Sequence, residues 1–194
     1  MIIWLNGAFG SGKTTCAFEL YRRLPNSFVY DPENVGFLIR KNMPRELHRE
    51  DFQDHEQWRS FNYQMLRSIC REYDGTVIVP MTIVNRQYYD EIIQRLIDDG
   101  AILKHYILYA SKETLIKRLS KRLARDTWAE SQIDRCISAF DKEIVEERIT
   151  TDNKSVDSVV EEIATRAGVT LLPYKRSNLR KRLDRVITSL KHIR

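Results

Sequence analysis

Gly7-Ala8-Phe9-Gly10-Ser11-Gly12-Lys13-Thr14 is the stretch on which the reading of this chain turns. It fits G-x-x-x-x-G-K-[ST], the P-loop pattern. The flanks agree with it. Ile2–Asn6 predicts a buried strand leading in, and Gly12–Leu24 predicts a helix leading out, the context that the pattern requires. Glycines at 7, 10 and 12 let the backbone aim successive N–H groups into one concavity at a helix N-terminus, a natural seat for phosphate oxygens. The pattern assigns Gly7, Ala8, Phe9, Gly10, Ser11, Gly12, Lys13 and Thr14 to a phosphate-binding site, which Thr15 extends into the helix's first turn. Lys13 is the expected catalytic cation at the β/γ-phosphates, and Thr14 the expected hydroxyl ligand of Mg²⁺. The bland alternative is a glycine-rich turn with no ligand.

Outward from the loop, short apolar runs alternate with helix-length amphipathic segments, which predicts an α/β fold of the P-loop NTPase class, with a parallel sheet and flanking helices. Strands are expected at Ile2–Asn6, Phe28–Asp31, Thr76–Met81, Ile102–Ala110 and Arg148–Thr151. Helices are expected at Gly12–Leu24, Glu56–Tyr73, Arg86–Asp98, Lys112–Arg125, Ala129–Glu146 and Ser155–Ala167. The strands are largely non-alternating, as strands buried on both faces are. Ser111 and Ser155 stand at N-cap positions, and Gly100 and Gly168 just past helix ends. Pro32–His55, with two prolines, reads as a loop-and-short-helix excursion over the sheet. A length of 194 residues suits one domain with an appendage, divided here as 1–173 and 174–194.

Further candidates stand where the other strands end, because ligands of open parallel sheets lie beyond the carboxyl ends of their strands. Asp31 closes the second strand. It is a general base for a substrate hydroxyl, or a holder of Mg²⁺-bound water, or simply the first residue of an Asp-Pro turn. The third strand should end in the Walker B acid and instead ends in Thr82, so either Asp31 covers that role or Thr82 orients a metal-bound water. Absence of that acid weakens a motor-ATPase reading and suits a small kinase. After the fourth strand, Arg118, Arg122 and Arg125 share one helix face. They are either lid arginines that stabilise transferring phosphate charge or a solvated face. Trp58, Arg59, Asn62 and Tyr63 share a surface of the 56–73 helix, giving either substrate contacts through Arg59 and Asn62 or core packing. His48, His55, His105 and His192 show no ligand spacing.

The net charge of +5 is unevenly placed. Residues 174–194 carry eight Lys and Arg against one acid, Asp184, so the body before them is slightly acidic. Leu179, Leu183, Val186, Ile187, Leu190 and Ile193 form one helical stripe among those basic residues. Such a helix either packs on its own domain or lies on an anionic membrane surface. Nucleic-acid binding fits poorly, since no aromatic follows Tyr174. No apolar run approaches a membrane span, and Met1–Asn6 lacks the basic start of a signal peptide. Cys16, Cys70 and Cys136 are an odd number in no metal spacing and read as reduced thiols of an intracellular protein. The expected location is cytoplasmic, with peripheral attachment to the inner face of the membrane.

Several strings together are more specific than the P-loop: Trp4–Thr14, Val29-Tyr-Asp-Pro-Glu33, Trp58-Arg59, Phe61-Asn-Tyr63, Val77-Ile-Val-Pro-Met-Thr82, Ala110-Ser-Lys-Glu-Thr-Leu115, Gln132-Ile-Asp-Arg-Cys136, Thr151-Asp-Asn153 and the closing Lys191-His-Ile-Arg194. On them the chain resembles, essentially end to end, the bacterial tunicamycin-resistance protein family. The resemblance implies ATP binding through Gly7–Thr14, kinship with nucleotide and shikimate kinases, and the strand order 2-3-1-4-5. It also implies resistance to tunicamycin, a uridine-containing nucleoside antibiotic, and membrane association through the C-terminal segment. Two chemistries stay open: phosphorylation of a hydroxyl of tunicamycin or a similar nucleoside, and ATP-dependent sequestration of unmodified drug at the membrane.

Overall fold

The computed structural model describes residues 1–121, 126–174, 180 and 183–184. Five strands, β1 (Ile2–Asn6), β2 (Ser27–Val29), β3 (Thr76–Pro80), β4 (Leu103–Tyr109) and β5 (Glu147–Thr150), pair in parallel in the order β2-β3-β1-β4-β5. Ile3 of β1 stands opposite Ile78 of β3 on one side and Lys104 of β4 on the other. This is the order expected from the resemblance.

The apolar strands are apolar because both faces are covered. Ile2, Trp4, Val77 and Val79 face one core, shared with α3 (Glu56–Glu72), α6 (Lys112–Leu119) and α8 (Ile133–Lys142) through Trp58, Leu66, Leu115 and Phe140. Ile3, Leu5 and Ile78 face the other, against α1 (Lys13–Arg23) and α9 (Val156–Ala167) through Cys16, Leu20, Val160 and Ile163. A helical run over 86–98 completes the first layer. It consists of α4 (Arg86–Tyr89), a π-helical turn Asp90–Gln94 and α5 (Arg95–Asp98).

Three segments differ from expectation. A ten-residue helix, α2 (Glu33–Asn42), opens at once after Pro32. Pro32 has φ −64°, the value a helix start accepts, so this proline begins a helix rather than interrupting one. The helix expected over Ala129–Glu146 is two, α7 (Thr127–Ser131) and α8, because Gln132 ends one and begins the other. The helix expected to reach Arg125 closes as α6 at Leu119, and Arg122 and Arg125 lie outside the described residues.

Among the described residues, no helix is long and apolar enough to cross a membrane. Of the segment 174–194 only Tyr174, Arg180, Leu183 and Asp184 are described, so its helical stripe lies almost wholly outside them. The chain reaches it along α1: the Leu172 amide donates to the Arg23 carbonyl, and the Arg23 guanidinium stacks on Tyr174 at 3.6 Å.

Candidate active site

The loop between β1 and α1 is anchored by fully buried Asn6. Its Oδ1 accepts from the Gly7 and Ile83 amides, each at 2.9 Å, and its Nδ2 donates to the Ile83 carbonyl at 2.8 Å. One side chain thus ties the end of β1 to the chain leaving β3. Gly7, at φ +141°, leaves no space for a side chain, since a Cβ there would stand 2.5 Å from the Leu108 carbonyl. Gly12, at φ +99°, opens α1 in the left-handed region without a capping side chain. The Gly10 and Gly12 amides take no backbone partner among the described residues. Ser11 is 2 % exposed, and its Oγ has no hydrogen-bond partner among the described residues. A buried hydroxyl and loop amides without acceptors, beside the Lys13 ammonium, fit an anionic phosphate chain. Lys13 Nζ meanwhile donates to the Gly7 carbonyl at 2.9 Å and the Ala8 carbonyl at 3.1 Å. Ala8 is buried, whereas Thr14 and Thr15 are half-buried in the first turn of α1.

Two walls enclose the loop. Arg118 of α6 clamps it from behind. Its Nη1 donates to the Gly10 and Ser11 carbonyls at 3.4 and 3.3 Å and to Thr151 Oγ1 at 3.0 Å, and its Nη2 donates to the Thr151 carbonyl at 2.8 Å. Next to Thr151, Asp152 accepts from the Ser111 amide at 2.9 Å. Hydrogen bonds from Thr114 and Ser111, with the Arg118 charge, hold the Asp152 carboxyl below the usual carboxylate range. On the other wall Phe9 meets Trp128 edge-on at 5.2 Å between ring centres. Cys136 of α8 packs against the Phe9 amide and within the field of Lys13, and burial pushes its thiol up.

The region beyond the ends of β3 and β2 is built from distant parts of the chain. Thr82, 4 % exposed, donates its hydroxyl to the Gly7 carbonyl at 2.8 Å, and its own carbonyl accepts from Gln53 Nε2 at 3.0 Å. Gln53 is the middle residue of a short 3₁₀ turn, Phe52–Asp54, capped by Asp51, whose Oδ1 takes the Gln53 amide at 2.9 Å. Burial raises the Asp51 carboxyl, and the Arg135 and Arg40 charges oppose the rise. Arg59 donates to the Gln53 carbonyl at 2.7 Å and to Glu91 Oε2 at 2.5 Å, and lies over the Tyr88 ring at 4.5 Å. Glu91 sits on the π-helical turn, an irregularity often found where a helix serves a site. Asn62 is fully buried, accepting from the Tyr30 hydroxyl at 2.8 Å and donating to the Trp58 carbonyl at 2.8 Å. Trp58 Nε1 donates to the Pro32 carbonyl at 3.0 Å. Thus α3 grips both sides of Asp31, through Tyr30 and Pro32. Asp31 Oδ1 takes the Glu33 amide at 3.0 Å, and burial first, then the Asp31 charge, raises the Tyr30 hydroxyl.

The structure brings Gly7–Thr15, Thr82 and Arg118 into one constellation. Asp31 stands two strands from β1, across β3, a separation of roughly 10 Å at the usual inter-strand spacing. Arg59 and Asn62 face inward, their polar groups engaged with the protein. Sequence reasoning missed Gln53, Asp51, Tyr30 and Glu91. Asp51-Phe52-Gln53 carries a local signal, an Asp placed to cap the amide two residues on; the long-range pairing of Glu91 with Arg59 leaves none.

Comparisons with known proteins bear on this geometry. A family model for the AAA domain matches residues 2–142. The tunicamycin resistance protein of Deinococcus radiodurans is 31% identical, with 89% of this chain and 99% of that one covered and a TM-score of 0.74. The chain belongs to the AAA-domain family and to the tunicamycin-resistance protein family. Within the tunicamycin-resistance family its architecture is that of the P-loop kinases. A shikimate kinase from Bacteroides thetaiotaomicron (18% identity, 87% of this chain and 99% of that one, TM-score 0.60) shares the fold. So does a sugar kinase from Janibacter (16% identity, 87% and 95%, TM-score 0.61). No curated protein matches the chain.

Proposed function

We propose that this tunicamycin-resistance protein is an ATP-dependent phosphotransferase that acts on a hydroxyl of tunicamycin or a similar nucleoside. The observation that carries the reading is the pairing of a fitted phosphate cradle with a carboxylate, Asp31, across β3. The separation leaves room above β3 for a γ-phosphate and an acceptor hydroxyl between them. The amides of Gly7–Thr15 and the Lys13 ammonium hold the phosphates, with Lys13 leaving the Gly7 and Ala8 carbonyls to do so. Thr14 would offer its hydroxyl to a Mg²⁺ arriving with the nucleotide, which would supply neutralisation of phosphate charge. No group of three or more His, Cys, Asp or Glu among the described residues forms a metal cage. Asp31 takes the acceptor proton as the hydroxyl attacks. Arg118 braces the loop through its carbonyls, Arg122 and Arg125 act as lid cations, and Thr82, Arg59 and Asn62 position the acceptor side.

Mass spectrometry of tunicamycin incubated with the protein and Mg²⁺·ATP tests this. A gain of one phosphate, absent with Lys13→Ala, is the expected result. Unmodified drug under conditions where both ligands bind overturns it and leaves sequestration. Residues 174–194 form a separate basic amphipathic element in this proposal, held to anionic lipid by its charge and apolar stripe. Deleting them should abolish sedimentation with phosphatidylglycerol vesicles, and unchanged sedimentation would refute that assignment.

A further inference from the structure

Beyond Thr82 the chain passes through Val84 and Asn85 into α4, with α8 alongside. Between them lies a cavity of about 260 Å³ lined by Val84, Asn85, Arg135, Ser138, Ala139 and Glu143. It stands past the carboxyl end of β3, the strand that separates the P-loop from Asp31. Its polar groups are a mixed set: Arg135 only donates, Glu143 only accepts, and Ser138 does both. Asn85 Oδ1 is taken by the Gln87 and Tyr88 amides at 2.8 and 3.3 Å, which leaves its NH₂ to donate. The Arg135 guanidinium donates to Gln132 on its own helix at 3.1 Å.

The charges around this cavity decide what it accepts. Asp51, fixed by the Gln53 amide, lies within the field of Arg135. Arg40 shares that field, so the lining itself carries one guanidinium, Arg135, and one carboxylate, Glu143. A phosphate dianion entering here meets the Glu143 carboxylate at like charge and loses its hydration. A neutral group with both donors and acceptors matches the lining without that cost.

We propose that this cavity is the recognition subsite for the acceptor, taking a neutral ring that carries both hydrogen-bond donors and acceptors, as the base of a nucleoside does, and rejecting the same compound bearing a phosphate. The subsite deepens the phosphotransferase reading and rests on it for its role in the reaction. Arg135 and Glu143 determine specificity: the first anchors the ring's acceptors, the second takes its donor and excludes anions.

The test uses the full chain saturated with Mg²⁺ and a non-hydrolysable ATP analogue, titrated with uridine or with uridine 5′-monophosphate, and followed by amide resonances. Uridine should shift Asn85, Ser138 and Glu143, and the monophosphate should bind about tenfold more weakly. Ser138 and Glu143 are exposed, so Glu143→Arg should fold normally and move the preference about tenfold toward the monophosphate. The proposal is overturned if neither compound shifts these residues, if the shifts fall elsewhere, or if the monophosphate binds as well as uridine. Failure of the phosphotransferase reading shows separately, as tunicamycin of unchanged mass while uridine still shifts the subsite.

Discussion

The P-loop and the region proposed to receive the acceptor are made in opposite ways. Nine consecutive residues, Gly7–Thr15, supply the phosphate cradle, and their geometry follows from local backbone requirements such as φ +141° at Gly7 and φ +99° at Gly12. The acceptor side joins the chain near 30, 53, 62, 82 and 91 through single hydrogen bonds. Local chemistry repeats as a motif, whereas an assembly of distant contacts must be seen in three dimensions.

The comparison breaks most sharply at Lys13. Lys13→Ala should abolish ATP binding and lower any phosphate transfer by about 10³-fold, as loss of a preorganised charge at a transferring phosphate does. Titration with a fluorescent ATP analogue and a turnover assay read the two effects. Asp31→Asn should separate the halves: ATP affinity stays, and transfer falls by roughly 10²-fold or more, the usual share of a general base. Normal turnover in that variant would remove Asp31 from the role.

Gln53→Ala sharpens the contrast at smaller scale. It leaves the buried Thr82 carbonyl without its 3.0 Å donor, a loss of about 1–3 kcal/mol. Calorimetry should show a Tm lower by roughly 2–4 °C for each kcal/mol lost. The acceptor KM should rise more than the ATP KM; equal rises would mean that Gln53 supports both halves alike. The smallest effect belongs to Asp152 behind the P-loop. Its carboxyl is held low in the folded state by Thr114, Ser111 and Arg118. The stability it adds is therefore present above the ordinary Asp range and lost as pH falls through its depressed folded pKa. Urea melts should find Asp152→Asn less stable than the native chain at neutral pH, with the gap closing in acid.

How far the sequence could be read follows the same division. Strand periodicity placed all five strands within two residues, because burial on both faces leaves a plain apolar signature at Ile2–Asn6 and Thr76–Pro80. The strand order came from the family resemblance. Over 32–55 two prolines mark irregularity without placing the helices, because the same residue stops a helix in its middle and starts one at its head. Arg59 and Asn62 share a surface of one helix, as their spacing required, yet periodicity alone does not say whether that surface faces ligand or protein. Tyr30, Gln53 and Glu91 decide it, and they arrive from other elements.

The Gly7 carbonyl accepts from both the Lys13 ammonium and the Thr82 hydroxyl, and Thr82 in turn accepts from Gln53. In the proposed reaction, phosphates that draw Lys13 away would leave Thr82 as that carbonyl's donor, on a path that runs to Gln53. The two ligands would then be thermodynamically linked. Whatever factor nucleotide contributes to acceptor affinity, acceptor must return to nucleotide affinity. A Thr82→Val protein, with the path cut, would bind each ligand without regard to the other.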